Sequence, residues 1–504
     1  MLISDHHVFT KNYNKYVIDI EKMTAVPIEA DTATALSKLT TDPNYQLNTN
    51  VKAKLTQLGL LLKKTPKEKE RKKDEDIPIA TIALFVTQEC NLNCVYCYGD
   101  GGSYGSSGHM TTDTAKKTVD WLIEQSKNIK KLSISFFGGE PLMNFSLIKE
   151  VVEYAQKIGK KKGKTFEFGM TSNMLLLDKE KLAFLKKHKI TPLVSFDGPK
   201  EIQDKQRPFK NIKKSSYDTT IPKIKKLLSV MPDTSCRATL LGNTNPVTVR
   251  KALSEIGFSK IHMTTASLSL FNKTTDKQTS NIIRTIQMLE SDTELFLKNV
   301  KNRNKEELKK QKNSGFLLEV LASFLNDQKR YFPCGAGRGA VAVSNSGDVF
   351  LCHRFVGVDE YKLGHIYNNK LERTPFLKKT VNTIEKCSKC FAKYICAGWC
   401  YHDNKGSTGS VFEPSEDACQ LMQKTMELTA YISCNLSEND KEYLIKEEII
   451  PKKPLTMEEL KLKQQKLMAE VEKLEELGLT EDEFKEVADG LSPNEFKNKI
   501  FSKN

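Results

Sequence analysis

The motif Cys90-Asn91-Leu92-Asn93-Cys94-Val95-Tyr96-Cys97 is the most informative stretch of this chain. It places three cysteines in a CxxxCxxC pattern directly after an apolar strand predicted over residues 80–86. Thiolates at this spacing can converge on one iron–sulfur cube, and the irons of a cube need four ligands. Three cysteines therefore leave one iron open for a substrate or cofactor. A zinc site, which usually takes four protein ligands, and unrelated core cysteines are the alternatives.

Strands and helices alternate around this motif. Five more strands are predicted, over residues 132–137, 166–170, 192–196, 235–240 and 260–264, with helices between them, for example over 112–127, 145–160 and 179–187. Repeated strand–helix units favour parallel strands in a barrel, a partial barrel or an open sheet. In such folds the ends of the strands build the site.

Three polar segments follow predicted strands. They are Gly138-Gly139-Glu140-Pro141, Thr171-Ser172-Asn173 and Ser195-Phe196-Asp197-Gly198-Pro199. Glycine lets the backbone approach a ligand closely, and a carboxylate suits an ammonium group. Each segment alone is as typical of a turn or a helix cap as of a binding site. The shared position of the three segments at strand ends favours a site.

A second group of cysteines lies further along the chain, at Cys334, Cys352, Cys387, Cys390, Cys396, Cys400 and Cys419. The chain has 12 cysteines, and its N-terminus lacks the basic and apolar regions of a signal peptide. We therefore expect a cytoplasmic protein with reduced thiols, in which clustered cysteines indicate metal. A zinc ribbon is the alternative by spacing. Cys236 and Cys434 are left over.

Composition narrows the class of protein. The 504 residues suggest about three domains. Hydrophobic residues make up 39% and charged residues 28%, and no run of 18 apolar residues indicates a membrane helix. The net charge of +15 comes from lysines interleaved with acids, without a concentrated basic–aromatic stripe. We therefore predict neither a membrane nor a nucleic-acid partner.

The chain divides into five predicted parts. Residues 1–62 are a small domain with strands near 8–9 and 16–20, a helix starting near 31 and helical apolar spacing over 51–62. A charged linker (63–76), the strand–helix array (77–310), a cysteine-rich domain (311–435) and a helical C-terminal extension (436–504) follow. Within residues 334–434 no long periodic run is evident.

The CxxxCxxC motif, with Tyr96 before its last cysteine, resembles the signature of radical S-adenosylmethionine (SAM) enzymes. The resemblance implies a partial (β/α)6 barrel in which Cys90, Cys94 and Cys97 hold a [4Fe–4S] cluster. The open iron binds the amino and carboxylate groups of SAM. One electron then cleaves SAM to a 5′-deoxyadenosyl radical that abstracts hydrogen from the substrate.

Other motifs resemble the cofactor contacts of the same family. Gly138-Gly139-Glu140-Pro141 is similar to the GGEP segment that holds the methionine amino group, and Ser195 lies in an SxDGP-like segment. Asp204 and Arg207 lie in a stretch like HDxxRP, although Gln203 replaces the histidine. The cofactor-binding residues implied by the resemblance are Tyr96, Gly138, Gly139, Glu140, Ser195 and Arg207.

The second cysteine group resembles the SPASM extension of this superfamily, which holds two auxiliary [4Fe–4S] clusters. The resemblance implies an outer cluster on Cys387, Cys390, Cys396 and Cys419, and an inner cluster on Cys334, Cys352 and Cys400. Some relatives add a cysteine where this chain has Gln328, so the inner cluster has three evident protein ligands. Its fourth iron is open or bound by a residue that the sequence does not identify. The cofactors implied are SAM and three [4Fe–4S] clusters.

The residues that flank the cysteines resemble thioether-forming maturases of ribosomal peptides (ranthipeptide type), and residues 1–61 resemble their winged-helix-like recognition domain, which binds the leader peptide by strand addition. The implied partners are a cysteine-bearing precursor peptide and a reducing electron donor of flavodoxin or ferredoxin type. Carbon–carbon crosslinking, epimerisation and formylglycine formation stay open, as does a non-catalytic iron–sulfur carrier. Sulfatase-maturing relatives often carry an aspartate where His353 stands, which disfavours formylglycine.

Overall fold

The computed structural model describes residues 2–42, 44–62, 77–266, 269–270, 282–314, 316–368 and 370–453. The predicted charged linker (63–76) and the part of the predicted C-terminal extension beyond residue 453 lie outside these ranges. Residues up to Pro451 form one compact unit. None of the helices described has the length and apolar character needed to cross a membrane.

The N-terminal part combines a small sheet with two helices. Strands β2 (His6–Lys11), β3 (Asn14–Asp19) and β4 (Thr24–Ile28) are antiparallel, and α1 (Ala30–Thr41) and α2 (Thr49–Gln57) follow them. Short strands β1 (Leu2–Ile3) and β5 (Leu61–Leu62) pair with each other. The helix predicted over 51–62 is wrong at its end. It stops at Gln57, and Gly59, with a φ of 66°, turns the chain into β5.

Nine strands form the central sheet. Six parallel strands pair in chain order: β6 (Thr81–Thr87), β7 (Lys131–Gly138), β8 (Thr165–Ser172), β9 (Thr191–Ser195), β10 (Ser235–Leu240) and β11 (Lys260–Thr265). Strand β12 (Ala340–Val343) pairs parallel with β6, and β13 (Asp348–Phe350) and β14 (Lys362–His365) extend the sheet antiparallel. Among the described strands β11 pairs with β10 alone, so the six-stranded unit is open. The predicted α/β fold with an incomplete barrel is confirmed.

Helices cover one face of this sheet. Between the six parallel strands lie α3 (Thr112–Gln125), α4 (Phe145–Lys162), α5 (Lys179–Lys187), α6 (Lys200–Gln206), α7 (Ser216–Val230) and α8 (Pro246–Ile256). The apolar side chains of α4 recur at helical spacing and are buried. Side-chain caps begin α3, α5 and α7 at Thr111, Asp178 and Ser215. Alternate residues of β7, such as Leu132 and Ile134, pack into this helix-covered core.

The opposite face of the parallel strands is only partly buried, and we call it the inner face. The side chains of Ser135, Phe137, Thr171, Ser195 and Arg237 lie on it, one residue out of phase with the buried core positions. Period-two alternation in each strand therefore separates a structural face from a face that is open to a ligand.

The remaining helices lie in the C-terminal half: α9 (Ile282–Lys301), α10 (Lys305–Ser314), α11 (Phe316–Leu325), α12 (Thr374–Lys378), α13 (Glu385–Ser388), α14 (Lys393–Cys396), α15 (Tyr401–Thr408), α16 (Glu416–Cys434) and α17 (Glu438–Lys446). The sequence analysis missed α16, a helix of 19 residues capped by Ser415. Its buried stripe includes Thr425 and Thr429, which interrupt the apolar pattern.

Candidate active site

The cysteine motif forms a loop at the C-terminal end of β6, and backbone hydrogen bonds tie it to residues 206–208. The amide of Asn93 donates to the Pro208 carbonyl at 2.8 Å, and the amide of Val95 donates to the Gln206 carbonyl at 2.9 Å. Arg207 is therefore held beside the cysteines. Sequence spacing alone does not reveal this pairing, because about 110 residues separate the two segments.

The thiols of Cys90, Cys94 and Cys97 converge and are free of disulfides. Burial raises the pKa of Cys90 to about 12, and the charges of Glu140, Cys94 and Cys97 raise it further. Burial also raises the pKa of Cys94 to about 11, against the opposing charge of Arg207. Such thiols stay protonated unless a cation compensates their charge, and a bound metal deprotonates a coordinating thiol outright.

Gly138 and Gly139 press the end of β7 against this loop. A Cβ atom on Gly139 would lie 2.1 Å from the Glu89 carbonyl oxygen, and one on Gly138 would lie 1.9 Å from the Thr87 carbonyl oxygen. The amide of Glu140 donates to the Glu89 carbonyl at 2.8 Å. Only glycine allows two backbones to approach this closely.

Glu140 is buried between the ends of β7 and β8. Its carboxylate accepts hydrogen bonds from the Ser172 hydroxyl at 2.7 Å, the Asn173 amide at 2.8 Å and the Leu142 amide at 3.0 Å. Burial raises the pKa of this carboxyl, and the hydrogen bonds oppose that rise. A carboxylate has about four acceptor positions, so one remains for the predicted ammonium group.

Tyr96 belongs to a buried polar network. Its hydroxyl donates to Asp197 Oδ2 at 2.6 Å and accepts from Arg207 Nη1 at 2.7 Å. Gln203, which replaces the family histidine, accepts from the Asp197 amide at 2.9 Å. The hydroxyl of Tyr96 therefore has a structural role, and its contact with a cofactor stays a prediction. The sequence analysis quoted Asp197 without giving it a role.

Ser195 and Asp204 make no direct side-chain hydrogen bond to Tyr96, Asp197 or Arg207, and Asp204 connects to Gln203 through the Ser216 hydroxyl. Ser195 ends β9 on the inner face and is partly exposed. Its predicted cofactor contact stays a prediction. Asp204 accepts hydrogen bonds from Ser215 and from the Tyr217 amide, so it anchors the start of α7.

These residues fit an iron–sulfur cluster with bound SAM. The Nε atom of Arg207 is buried without a hydrogen-bond partner among the described residues, next to the thiol of Cys94. An orphaned donor beside convergent thiols suits an anionic ligand. Within the described ranges no three His, Cys, Asp or Glu side chains are placed to hold a single metal ion. In a [4Fe–4S] cube each thiolate binds a different iron, so the three cysteines do not need to lie close enough to share one metal ion.

Residues 84–256 match the family model of the Radical SAM superfamily. The chain contains a radical SAM domain. It is 30% identical to the radical SAM cyclopropyl synthase TigE of Paramaledivibacter caminithermalis, over 24% of this chain and 28% of that protein. It is 22% identical to a cysteine-type anaerobic sulfatase-maturating enzyme of Clostridium perfringens strain 13, over 64% of this chain and 89% of that enzyme.

The structure called native anSMEcpe with bound AdoMet and Cp18Cys peptide aligns with a TM-score of 0.58 at 19% identity. It covers 71% of this chain and 100% of that one, and this likeness shows the fold. The chain covers less than half of the length of three curated relatives that match at 30% identity or more: 45%, 28% and 29%. The match to radical SAM enzymes by the family model is therefore shown for residues 84–256.

Outside the radical SAM domain, the other cysteines form two sets. Four thiols lie close to one another: those of Cys387, Cys390, Cys396 and Cys419. Burial raises the pKa of Cys387 to about 12, and the charges of Cys396, Cys390 and Cys419 contribute to this rise. The amide of Gln423 donates to the sulfur of Cys390 at 3.7 Å. We call Cys387, Cys390, Cys396 and Cys419 the outer set.

Cys334, Cys352 and Cys400 form the inner set. Burial raises the pKa of Cys352 to about 12, and the charges of Cys400 and Cys334 contribute to that rise. Gln328, at the position of the additional cysteine in some relatives, is exposed to solvent. Cys236 is buried in the core, and its thiol donates to the Phe196 carbonyl at 3.4 Å. Cys434 ends α16.

Polar side chains lie between the inner set and the radical SAM domain. The guanidinium of Arg354 is 5.5 Å from the ring centroid of Tyr98, and its Nη1 lies 4.0 Å from the Cys400 sulfur and 2.8 Å from Asp403 Oδ1. The rings of His353 and Phe137 are 4.9 Å apart, and the charge of Cys97 reaches Tyr98. These contacts link the radical SAM cysteines to the inner set through Tyr98 and Arg354. Of these polar groups the sequence analysis named only His353.

Proposed function

We propose that this chain is a radical SAM maturase of ribosomal peptides that installs thioether crosslinks between a peptide cysteine and a carbon of another residue. The observation that carries the proposal is the partition of ten free cysteines into three sets. The first set is Cys90, Cys94 and Cys97, and the side chains of Tyr98 and Arg354 link it to the inner set. Seven cysteines lie beyond the first motif, and their pattern resembles the ligand set of two auxiliary clusters. SPASM-type enzymes use such clusters on peptide substrates.

The residues of the first set would hold the catalytic cluster and SAM. When bound, the cluster and SAM supply the 5′-deoxyadenosyl radical that removes a hydrogen atom from the substrate. Cys90, Cys94 and Cys97 are the cluster ligands in this proposal, Glu140 faces the ammonium of SAM and Arg207 faces its carboxylate. Gly138 and Gly139 allow the backbone to approach, and Ser195 contacts the cofactor from β9.

The inner set would take part in sulfur chemistry. Cys334, Cys352 and Cys400 provide three protein ligands, so one position of the inner cluster is left for the thiolate of the peptide. In the net reaction the peptide loses two hydrogens. One would leave its carbon as an atom and the other its thiol as a proton. The electron released when the C–S bond forms would need an acceptor, and clusters held by the inner and outer sets would supply one.

A peptide substrate is supported by the relatives. One is named a cysteine-type sulfatase-maturating enzyme, and the neighbouring solved structure contains a bound peptide. Residues 2–62 would bind the leader peptide. Their strands share a buried apolar cluster with the loop of the outer set, where His7 stacks on Phe391 with ring centroids 3.5 Å apart. A bound leader would therefore lie near the cysteine-rich part of the same unit.

The remaining partners follow from the chemistry. SAM cleavage consumes one electron, so a reducing donor of flavodoxin or ferredoxin type is required. Thiols that hold clusters must stay reduced, and the cytoplasm meets that need. The predicted boundaries of the domains (1–62, 63–76, 77–310, 311–435 and 436–504) are kept as part of this proposal.

Anaerobic reconstitution with iron and sulfide, followed by iron counting and an assay for 5′-deoxyadenosine under dithionite, tests the first step. We expect about twelve irons per chain, three cubes of four, together with deoxyadenosine. About four irons would contradict the two auxiliary clusters. If the protein binds iron but forms no deoxyadenosine, with or without a cysteine-bearing peptide, the result would support the alternative of a non-catalytic iron–sulfur carrier.

The type of peptide modification needs a second assay. A thioether removes two hydrogens, retains the sulfur and blocks alkylation of the cysteine by iodoacetamide. A carbon–carbon crosslink also removes two hydrogens but leaves the thiol open to alkylation. Formylglycine formation from cysteine replaces sulfur by oxygen, formylglycine formation from serine adds an aldehyde that reacts with hydrazides, and epimerisation leaves the mass unchanged. Mass spectrometry before and after alkylation, and after reaction with a hydrazide, therefore separates these outcomes.

A further inference from the structure

The loop that carries the first set of cysteines presents part of its length to solvent. Leu92 is buried, whereas Asn93 is exposed and the apolar side chain of Val95 is 55% exposed. Val95 follows Cys94 directly, so about 3.8 Å separates their Cα atoms. A protein that contacts Val95 would therefore lie one residue away from a thiol of the first set.

The segment that pairs with this loop is basic. Leu92 lies opposite Phe209 in an antiparallel bridge, and the hydrogen bonds from Asn93 and Val95 continue this pairing to Gln206. Further along the segment, Ile212 is 62% exposed. The lysines of the segment are also exposed: Lys205, Lys210, Lys213 and Lys214. We call these four lysines together with Val95 and Ile212 the lysine surface.

The lysine surface carries charge that its own segments do not balance. Residues 90–99 and 205–214 contain neither aspartate nor glutamate. None of the four lysine side chains forms an ion pair with a residue that the structure describes. Asp204, which precedes the basic run, accepts hydrogen bonds from the Ser215 hydroxyl and the Tyr217 amide instead. Unbalanced positive charge of this kind attracts and orients an acidic partner.

We propose that the lysine surface docks an acidic protein that carries one electron. The inference rests on the proposed function, because it locates the reducing donor that cleavage of SAM requires. Two apolar side chains with charged neighbours suit the small, short-lived interfaces of electron-transfer complexes. The carrier loses one electron at this surface, and the reductive cleavage of SAM consumes it. Lysines alone would also attract an RNA or an acidic peptide, but the exposed Val95 on the cluster loop favours an electron carrier.

Two reductants that differ in their need to dock test this surface. In the reconstituted full-length protein with SAM, we would compare deoxyadenosine formation driven by dithionite and by a reduced flavodoxin of strongly negative net charge. Anaerobic calorimetry with the oxidised flavodoxin measures binding separately. The triple variant Lys210→Gln, Lys213→Gln and Lys214→Gln should weaken flavodoxin binding about tenfold at low ionic strength. The dithionite-driven rate should stay unchanged, since a small ion does not need this surface.

A matched control removes the same charge elsewhere. Lys160, Lys161 and Lys162 are exposed in the last turn of α4, before β8 begins, whereas the cysteine loop follows the end of β6. Replacing these three lysines by glutamine should leave flavodoxin binding unchanged. The difference between the two triple variants should vanish at about 1 M salt, where the screening length is about 3 Å. Ile212→Ser should weaken binding at low and high salt alike.

Several outcomes would overturn the proposal. They are no flavodoxin binding by the unaltered protein, equal losses in the two triple variants, and a loss that salt does not change. A slower dithionite-driven reaction in the variant of Lys210, Lys213 and Lys214 would assign these lysines to SAM or to the fold. If that variant loses affinity for an RNA or a peptide but not for flavodoxin, the surface belongs to that ligand.

The two reductants also separate this proposal from the proposed function. If dithionite yields no deoxyadenosine, with or without a cysteine-bearing peptide, the proposed function fails, while calorimetry still decides whether the lysine surface binds flavodoxin. If dithionite yields deoxyadenosine but flavodoxin does not bind, the proposed function stands and the docking surface is rejected.

Discussion

Arg207 Nη1 donates a 2.7 Å hydrogen bond to the hydroxyl of Tyr96, which in turn donates to Asp197 at 2.6 Å. Tyr96 comes from the cysteine loop, Asp197 from the segment after β9 and Arg207 from the end of α6. The three side chains are buried or nearly so, and they join segments that sequence separates by about 100 residues. This network fixes the loop on which the cluster cysteines lie.

We predict that Tyr96→Phe destabilises the protein by about 2 kcal/mol, because it leaves the buried Asp197 and Arg207 without a shared partner. Urea denaturation of the reconstituted protein measures the effect. Tyr154→Phe is the control: the hydroxyl of Tyr154 donates to Asp120 near the surface, so its loss should cost less than about 1 kcal/mol. Equal losses for the two variants would contradict the structural role of Tyr96.

Gly139→Ala should destabilise the protein by about 3 kcal/mol or more, since the new methyl group meets the Glu89 backbone. The clash involves backbone atoms, which cannot rotate away as a side chain does. Gly169→Ala is the matched control in β8, where a Cβ atom would make ordinary contacts at 3.6 Å. Thermal unfolding of both variants provides the measurement, and a tolerated Gly139→Ala would show that the loop shifts freely.

Substitution of the cysteines of one set should remove the iron of that set alone. Replacing Cys90, Cys94 and Cys97 by alanine should remove about four of about twelve irons, and replacing Cys387 and Cys396 should remove about four others. Cys434→Ser and Cys236→Ala should keep the full content, because these cysteines lie outside the three sets. Colorimetric iron analysis after reconstitution decides this. Loss of iron in Cys434→Ser would revise the outer set.

Low pH should weaken the contact between the β3–β4 turn, which carries Glu21, and the cysteine-rich part of the chain. Burial alone would raise the pKa of Glu21, but the hydrogen bond from Tyr394 and the charges of Lys393 and Lys329 lower it below 4.5 overall. A carboxyl group whose pKa is lower in the folded than in the unfolded protein stabilises the fold at pH values above its unfolded-state pKa. This stabilisation is lost as the pH falls from about 4.5 to the lower pKa of the folded state.

The unfolding free energy measured between pH 6 and pH 3.5 tests this linkage. Glu21→Gln should flatten the acid branch of the stability profile, whereas Glu29→Gln, at an exposed position of the same N-terminal part, should leave it unchanged. An acid branch that Glu21→Gln does not alter would assign the loss of stability to other carboxyl groups.

Much of the site was predictable from short motifs. The cysteine spacing, the paired glycines before Glu140 and the aromatic residue before Cys97 each carry a local requirement, either for a shared ligand or for close backbone approach. Strand positions followed from apolar runs of the right length. The end of α2 and the whole of α16 were missed, because Gly59 and the buried Thr425 and Thr429 break the patterns on which such predictions depend.

The sequence by itself determined the chemistry that is available: which thiols occur in which spacing, and that strands and helices alternate around them. Only the tertiary structure decided the partners of each group. It paired Arg207 with Tyr96 and enclosed Glu140 between the ends of β7 and β8. Spacing constrains neighbours within a few residues, whereas contacts across a parallel sheet depend on strand order and register, which form only when the whole core packs.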